Sequence, residues 1–299
     1  MTTMKKAFLT LIVLHAFFFV NAQGVAFVNI NPDPASTALA GTGIARSADA
    51  FAMENNVAAT ALNAPRMSVS AGFGLWQPAA ANAKLLSAQG FYRISDRLSV
   101  AMQYKGLKYP EYSVVSPDGR VKGSFSPNEM TAGLGVAYGI TDCLAAGVNL
   151  RMVSSALASD AKGSAFSADI AMKYDNDGVQ AGFSICNLGT KINYGDVSYS
   201  LPASAKLGAA YSINTFTLSA QADYFLKKGL GAGIGAEYVL LDIVSLRAGY
   251  HYGKTTGVLT SFASAGIGVV AYGVRLDFAY ITGSANLGNT MLFSLGYTL

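Results

Sequence analysis

The last nine residues, 291–299, read Met-Leu-Phe-Ser-Leu-Gly-Tyr-Thr-Leu and alternate large apolar residues with small or polar ones. In a β-strand, successive side chains point to opposite faces of the sheet. One face of this segment carries Met291, Phe293, Leu295, Tyr297 and Leu299. The other face carries Leu292, Ser294, Gly296 and Thr298. An apolar face opposite a small or polar face is typical of a strand that faces lipid on one side and the lumen of a membrane barrel on the other.

The same alternation recurs about fourteen times from position 66 to the C-terminus, which predicts an all-β fold, a transmembrane antiparallel β-barrel. The predicted strands are 66–76, 84–94, 98–107, 129–139, 144–153, 164–174, 178–188, 203–213, 215–226, 230–240, 243–252, 261–271, 273–281 and 290–299. Short connections alternate with longer ones, of which 108–128 is the longest. Outer-membrane barrels have short periplasmic turns and longer external loops, so an even strand number predicts that both the N- and C-termini lie in the periplasm.

The composition supports a membrane barrel. Of the 299 residues, 52% are hydrophobic and 13% are charged, and the mean hydropathy is +0.34. A soluble domain has about 25% charged residues, and no apolar run in the predicted barrel reaches the ~20 residues of a membrane helix. The outward face therefore requires outer-membrane lipid. Without Lys5 and Lys6, 19 basic residues stand against 17 acidic ones, which is too weak a positive charge to indicate nucleic-acid binding.

The first 22 residues have the pattern of a secretory signal peptide. Lys5 and Lys6 precede the apolar stretch 7–20, and Val-Asn-Ala at 20–22 suits a cleavage site. We therefore predict a signal peptide at 1–22, an N-terminal plug or hatch at 23–65, the barrel at 66–299, and a location in the outer membrane of a Gram-negative bacterium.

Residues 23–65 do not alternate, so they form either a periplasmic tail or a plug inside the barrel. The inward positions favour the plug. Gly231, Gly233 and Gly235 lie on one strand, and Gly133 and Gly135 lie on another. Inward glycines leave room for a second backbone, and a barrel of this strand number is too wide for its own small side chains to fill.

The predicted inner face also carries charges of both signs, including Lys105 and Glu129. The candidate lumenal charge network consists of Arg151, Asp169, Lys173, Lys206, Asp223, Glu237, Arg247, Arg275 and Asp277. Charges in a partly dry lumen must be paired, so one interpretation is a network that satisfies itself and holds the plug. The other interpretation is a path for permeation or for a ligand.

The residues for catalysis or metal binding are sparse. His251 is the only histidine after the predicted signal peptide, and no serine nucleophile motif accompanies it. A nucleophile needs a positioned base and an orienting third group. One histidine with the distant Cys143 and Cys186 gives no zinc-ligand spacing. We therefore expect neither an enzyme nor a bound cofactor or metal.

The longest predicted external loop, 108–128, is the candidate surface for a protein partner. Its candidate contact residues are Tyr109, Glu111, Tyr112, Asp118, Arg120 and Phe125. Aromatic residues are enriched in protein interfaces. The loop 189–202 is predicted to belong to the same partner-facing surface.

Three short motifs resemble a known family. Residues 38–50 read Ala-Leu-Ala-Gly-Thr-Gly-Ile-Ala-Arg-Ser-Ala-Asp-Ala, residues 187–189 read Asn-Leu-Gly, and Leu-Pro at 201–202 leads into Lys-Leu-Gly-Ala-Ala-Tyr at 206–211. These motifs resemble the PorV/PorQ family of Bacteroidota, within the FadL-like barrels. The family usually continues the first motif into Asn-Pro-Ala, whereas this chain has Asn56-Val57-Ala58.

The resemblance implies fourteen antiparallel strands with an N-terminal hatch and a role in the type IX secretion system. PorV-like members bind the C-terminal signal domains of secreted cargo and work with the translocon. PorQ-like members belong to the surface complex that attaches cargo. The expected function is a non-enzymatic component that docks secretion-system proteins or secreted cargo through external loops. The alternative is a FadL-like passive channel whose ligand is a hydrophobic small molecule.

Overall fold

The structure is a computed structural model and describes residues 25–226, 229–253, 260–283 and 287–299. The predicted signal peptide lies outside the described residues, as do positions 23 and 24 of the predicted plug.

Fourteen strands form one closed antiparallel barrel. They are β1 (Met67–Trp76), β2 (Ala83–Arg93), β3 (Leu98–Lys108), β6 (Asn128–Gly139), β7 (Leu144–Ala156), β8 (Lys162–Asn176), β9 (Val179–Gly189), β12 (Ser204–Ile213), β13 (Phe216–Phe225), β14 (Gly229–Leu240), β15 (Val244–Gly253), β16 (Phe262–Ala271), β17 (Val274–Thr282) and β18 (Thr290–Thr298). Pairing of β1 with β18 closes the sheet. The predicted fourteen-stranded antiparallel barrel is confirmed.

The side chains of β18 follow the predicted alternation. Leu295 is 56% exposed on the outside of the barrel, and Phe293 and Tyr297 are exposed beside it. Leu292 is 1% exposed and faces inward, as does the buried Ser294. Apolar side chains of this strand therefore cover the outer wall, the face that is suited to contact with lipid.

The connections have different lengths at the two ends of the barrel. At one end, which we call the short-turn end, they span 94–97, 140–143, 177–178, 214–215, 241–243 and 272–273. Tyr272 and Gly273 both have left-handed backbone angles, with φ of 52° and 78°. Two-residue turns with positive φ match the right-handed twist of the strands that they join. We call the opposite end the long-loop end.

Two long-loop connections contain hairpins that the sequence analysis did not predict. The hairpins are β4–β5 (Tyr112–Val115 and Val121–Phe125) and β10–β11 (Lys191–Tyr194 and Val197–Ser200). Each forms a separate two-stranded sheet. Both hairpins lie within connections that were predicted as long loops, and their short strands do not join the barrel sheet.

Residues 25–65, which we call the N-terminal segment, contain four short helices: Ala26–Asn29, Pro34–Ala38, Ala52–Asn55 and Val57–Ala61. Within the described ranges, no helix has the length and apolarity to cross a membrane. The segment packs against the inward face of the barrel. A Cβ atom added to Gly235 would lie 2.8 Å from the Cβ of Leu39, and Gly233 and Gly135 are approached by the segment in the same way. A Cβ atom added to Gly133 would instead meet residues of the neighbouring strand β7, and one added to Gly231 would meet the side chain of His251.

The N-terminal segment runs along the length of the lumen. Its first residues, among them Val25 and Phe27, pack with Trp76 in an apolar cluster at the long-loop end. Its last helices pack with Phe91 in a second cluster at the short-turn end, where Leu299 pairs with the start of β1. Val25 and Leu299 thus lie at opposite ends of the barrel.

Candidate functional site

The six candidate contact residues of loop 108–128 do not share one surface. Glu111, Asp118 and Arg120 are exposed, and Arg120 Nε lies 3.4 Å from Asp118 Oδ2 near the hairpin turn. The rings of Tyr112 and Phe125 pack at the base of the β4–β5 hairpin, with 6.0 Å between their centroids.

Tyr109 points into the barrel mouth rather than outward. It packs on the apolar cluster at the long-loop end and donates a hydrogen bond of 3.1 Å to Glu129 Oε2. Burial, and then the Glu129 carboxylate, raise the pKa of the Tyr109 hydroxyl above its usual value. Tyr109 therefore supports the loop from beneath and does not present itself to a partner.

The first part of the lumenal charge network centres on Asp169. Arg151 Nη2 lies 2.6 Å from Asp169 Oδ1 and donates a second bond, of 2.9 Å, to Asn187 Oδ1. The backbone N–H of Asn187 donates to Asp169 Oδ1 at 2.7 Å. Asn187 Nδ2 donates to Asn29 Oδ1 at 3.0 Å, so this group of polar residues also contacts the N-terminal segment.

A second group joins four network residues on β14, β15 and β17. Arg247 donates to Glu237 and, at 2.7 Å, to Asp277. Arg275 donates to the same Asp277 from two residues away on β17. The side chains of Arg247 and Asp277 are buried, so each charge is compensated where water cannot reach it.

The three remaining network residues behave differently. Lys173 donates to the backbone carbonyl of Ala45, which ties β8 to the N-terminal segment. Lys206 and Asp223 are direct cross-strand neighbours on β12 and β13. Within the described ranges no salt bridge joins these two, and Asp223 accepts a hydrogen bond of 2.8 Å from Gln221 instead.

The N-terminal segment supplies charged partners that the sequence analysis did not assign. Residues 24–65 contain only four charged residues, which are Asp33, Arg46, Asp49 and Glu54. Glu54 pairs with Lys105 of β3 at 2.6 Å, and Arg46 lies 3.0 Å from Asp33 and 3.4 Å from Asp49. A charged side chain in a segment that is predicted to lie inside the barrel needs a partner. The presence of these four charges in an alanine-rich segment was therefore the sequence signal that they pair within the lumen.

Asp33 organises the fold of the segment. Its carboxylate accepts hydrogen bonds from the backbone N–H groups of Ala35 and Ser36 and so caps the helix Pro34–Ala38. It also accepts bonds from Arg46 and from Asn55 Nδ2. Burial, followed by the charge of Asp49, raises the pKa of the Asp33 carboxyl to about 6, and Arg46 opposes the rise.

His251 is buried on the inner face of β15 and stacks on Phe262, with 5.0 Å between the ring centroids. In the described part of the chain, no cluster of three or more His, Cys, Asp and Glu side chains has the arrangement of a metal site. Cys143 and Cys186 are free thiols. The lumenal groups can pair with one another, hold the segment or bind a polar ligand.

The barrel wall is irregular between β8 and β9. Ala168 pairs with Leu188, whereas Ile170 pairs with Ile185, so β9 carries an extra residue at this point. Asn187 adopts a left-handed backbone angle there, with φ of 59°. Its N–H bond to the Asp169 side chain replaces a ladder bond, so the wall is bent but hydrogen-bonded.

The family of the chain follows from a match to a family model. The model described as type IX secretion system protein PorV matches residues 19–222, more than half of the sequence. The chain belongs to the PorV family. An outer-membrane location fits this family of barrels.

Solved structures similar to this PorV-family chain are FadL-like barrels. The toluene transporter TbuX of Ralstonia pickettii is 15% identical, with a TM-score of 0.63 over 89% of this chain and 98% of that chain. The CymD monoaromatic hydrocarbon channel is 14% identical, with a TM-score of 0.63 over 93% and 98%. A FadL homologue of Pseudomonas aeruginosa is 13% identical, with a TM-score of 0.60 over 94% and 99%. At these identities the likeness establishes the barrel fold alone. No curated protein sequence matches the chain.

Proposed function

We propose that this PorV-family barrel is a non-enzymatic component of protein secretion that docks secretion-system proteins or secreted cargo through loops 108–128 and 189–202. Membership of the PorV family supports a role in secretion. The observation that carries the docking role is the exposure of the β4–β5 hairpin.

The β4–β5 hairpin stands away from the barrel with most of its residues exposed. Val121 is 68% exposed, and Val115 and Tyr112 are also exposed. An isolated two-stranded hairpin is marginally stable in water, and the side chain of Tyr112 reaches the neighbouring loop between β7 and β8 through a long bond to the Leu157 carbonyl. Exposed apolar and aromatic groups on a projecting hairpin favour a protein partner.

The proposal includes an orientation and a division of the chain. The long-loop end faces the outside of the cell, the short-turn end faces the periplasm, and residues 1–22 are removed as a signal peptide. The N-terminal segment acts as a plug. The ion pair of Glu54 with Lys105 and the bond from Lys173 to Ala45 support its retention in the lumen.

The docking role is tested by deleting residues 111–124, which removes the β4–β5 hairpin. The barrel should keep its heat-modifiable gel migration, since no barrel strand is touched, and recovery of its partner in a mild-detergent pull-down should be lost. A matched control replaces the exposed Ser159 and Asp160 of the neighbouring loop with glycine and should leave recovery unchanged. Full recovery after the deletion would remove the docking role from this hairpin.

A passive channel for hydrophobic small molecules is the second candidate function. The FadL-like fold and the irregular wall at Asp169 and Asn187 favour it. The charged contacts that fill the lumen count against it. A strain that lacks the whole gene decides between the two. Reduced uptake of toluene with unchanged secretion would support the channel, whereas reduced secretion with unchanged uptake would support docking.

A further inference from the structure

A polar cavity of about 190 Å³ lies at the short-turn end of the lumen, between the N-terminal segment and the barrel wall. Arg46 and Asp49 line it from the segment, and Arg247, Arg275 and Glu237 line it from the wall. Hydroxyl side chains from three wall strands, β12, β13 and β15, also line it. None of these residues belongs to the external docking surface.

Two of the guanidinium groups are held tightly on the side away from the cavity. Arg46 Nη1 lies 3.0 Å from Asp33 Oδ2, and Arg275 bonds to Asp277. Towards the cavity they share one carboxylate at long range, since Asp49 Oδ2 lies 3.4 Å from Arg46 Nη1 and 3.9 Å from Arg275 Nη2. Charge-assisted hydrogen bonds normally measure about 2.7–2.9 Å, so Asp49 does not satisfy either guanidinium.

Both guanidinium groups are within reach of solvent. The side chain of Arg275 is 25% exposed, and those of Arg46 and Glu237 are also partly exposed. The cavity lining carries three guanidinium groups against two carboxylates. Asp33 and Asp277 lie behind the arginines, so the whole cluster has four carboxylates against three guanidinium groups, a formal charge of −1. Binding would therefore depend on hydrogen bonds from the guanidinium N–H groups and not on net positive charge.

We propose that this cavity binds a carboxylate through Arg46 and Arg275, in place of their long contacts to Asp49. A planar guanidinium presents paired N–H donors that match the two oxygens of a carboxylate. The carboxylate comes either from a small organic acid or from an acidic side chain of a peptide that reaches the short-turn end. This site is independent of docking at the external loops.

Isothermal titration of the full barrel in dodecyl maltoside micelles tests the site with three probes. The probes are succinate, the peptide acetyl-Gly-Glu-Gly-amide, and the same peptide with Gln in place of Glu. Succinate or the Glu peptide should bind, and the Gln peptide should not. Tighter binding of succinate would identify a small acid as the source, and tighter binding of the Glu peptide would identify a peptide.

The variant Arg275→Gln should weaken binding at least about tenfold, since a hydrogen bond to a charged group is lost. Arg97→Gln is the matched control, because Arg97 lies at the same end in an exposed pair with Asp142, and it should leave binding unchanged. Ser245→Glu, which places a competing carboxylate in the cavity lining, should also abolish binding and serves if Arg275→Gln fails to fold. Absence of heat with all three probes at millimolar concentration, or equal binding by wild type and Arg275→Gln, would overturn the proposal.

Discussion

Glu54 of the N-terminal segment and Lys105 of β3 form an ion pair inside the barrel, with 2.6 Å between Oε1 and Nζ and side-chain exposures of 6% and 0%. Lys105 also donates to the backbone carbonyls of Val28 and Ile30. One buried ammonium group thus contacts both the first turn of the segment and its third helix. Because a buried charge is tolerated only when it is paired, this contact fixes the segment against the wall.

Replacing Lys105 with methionine should destabilise the folded protein by about 3–5 kcal/mol, because Glu54 is left buried without a partner. The double change Lys105→Met with Glu54→Gln should recover most of that loss. Unfolding of the purified barrel in guanidinium chloride measures both effects. A loss below about 0.5 kcal/mol for the single change, the usual range of surface substitutions, would mean that Glu54 reaches water.

Replacing Gly182 with valine should loosen the N-terminal segment while leaving the barrel closed. A Cβ atom at this position would collide with the backbone carbonyl of Ile44, and backbone cannot move aside as a flexible side chain can. Trypsin should then cut after Arg46 more rapidly than in the wild type, as followed by mass spectrometry. Gly123→Ala, in the exposed hairpin where nothing lies within 4 Å of the added atom, should leave the cleavage rate unchanged. Equal cleavage in all three proteins would contradict the packing.

Leu276→Arg should impair insertion because it places an arginine on the lipid face, where the penalty is about 2–4 kcal/mol at the bilayer midplane and smaller towards the short-turn end, near which Leu276 lies. Leu276 is exposed on the outer wall, and its neighbour Asp277 is buried in the lumen. Asp277→Asn should act differently, by weakening the contacts to Arg247 and Arg275. Refolding into vesicles separates the two effects: the arginine should impair insertion, and the asparagine should not. Equal insertion defects would indicate a register error of one residue.

The pH dependence of stability should report the burial of Asp33. Its pKa is raised from 3.8 to about 6 in the folded protein, chiefly by burial. The folded state then binds more protons than the unfolded state between these values, so stability falls as the pH rises from about 4 to 6. Asp33→Asn should remove this part of the fall. Chemical denaturation of the wild type and of Asp33→Asn at pH 4 and pH 7 measures the change in the free energy of unfolding. An identical fall in the two proteins would show that Asp33 does not cause it.

The strands of the barrel were predictable because the lipid imposes a strict alternation on every strand. Leu295 and Leu292 are both leucines, and only their odd or even position along the strand assigns Leu295 to the lipid and Leu292 to the lumen. The register at Asn187 was not predictable in this way, since a bulge depends on side-chain bonds from Asp169 that no periodic pattern encodes.

The charged residues that face the lumen could be identified from the alternation along each strand, but their ion-pair partners could not. Asp277 pairs both with Arg275 on its own strand and with Arg247 on β15, and the spacing of two residues indicated only that Arg275 and Asp277 share a face. Glu54, Asp49 and Arg46 belong to a segment without periodicity, so their positions depend on how that segment folds inside the barrel. Local patterns also gave no warning that Tyr109 turns inward beneath the loop.

The most direct test of the docking account is photocrosslinking in living cells with p-benzoylphenylalanine in place of Tyr112. Tyr138 is the control position, because it is exposed on the outer wall at the short-turn end. The account predicts that position 112 crosslinks to a secretion-system protein or to secreted cargo, and that position 138 does not. Normal secretion by cells in which position 112 forms no protein crosslink would contradict it.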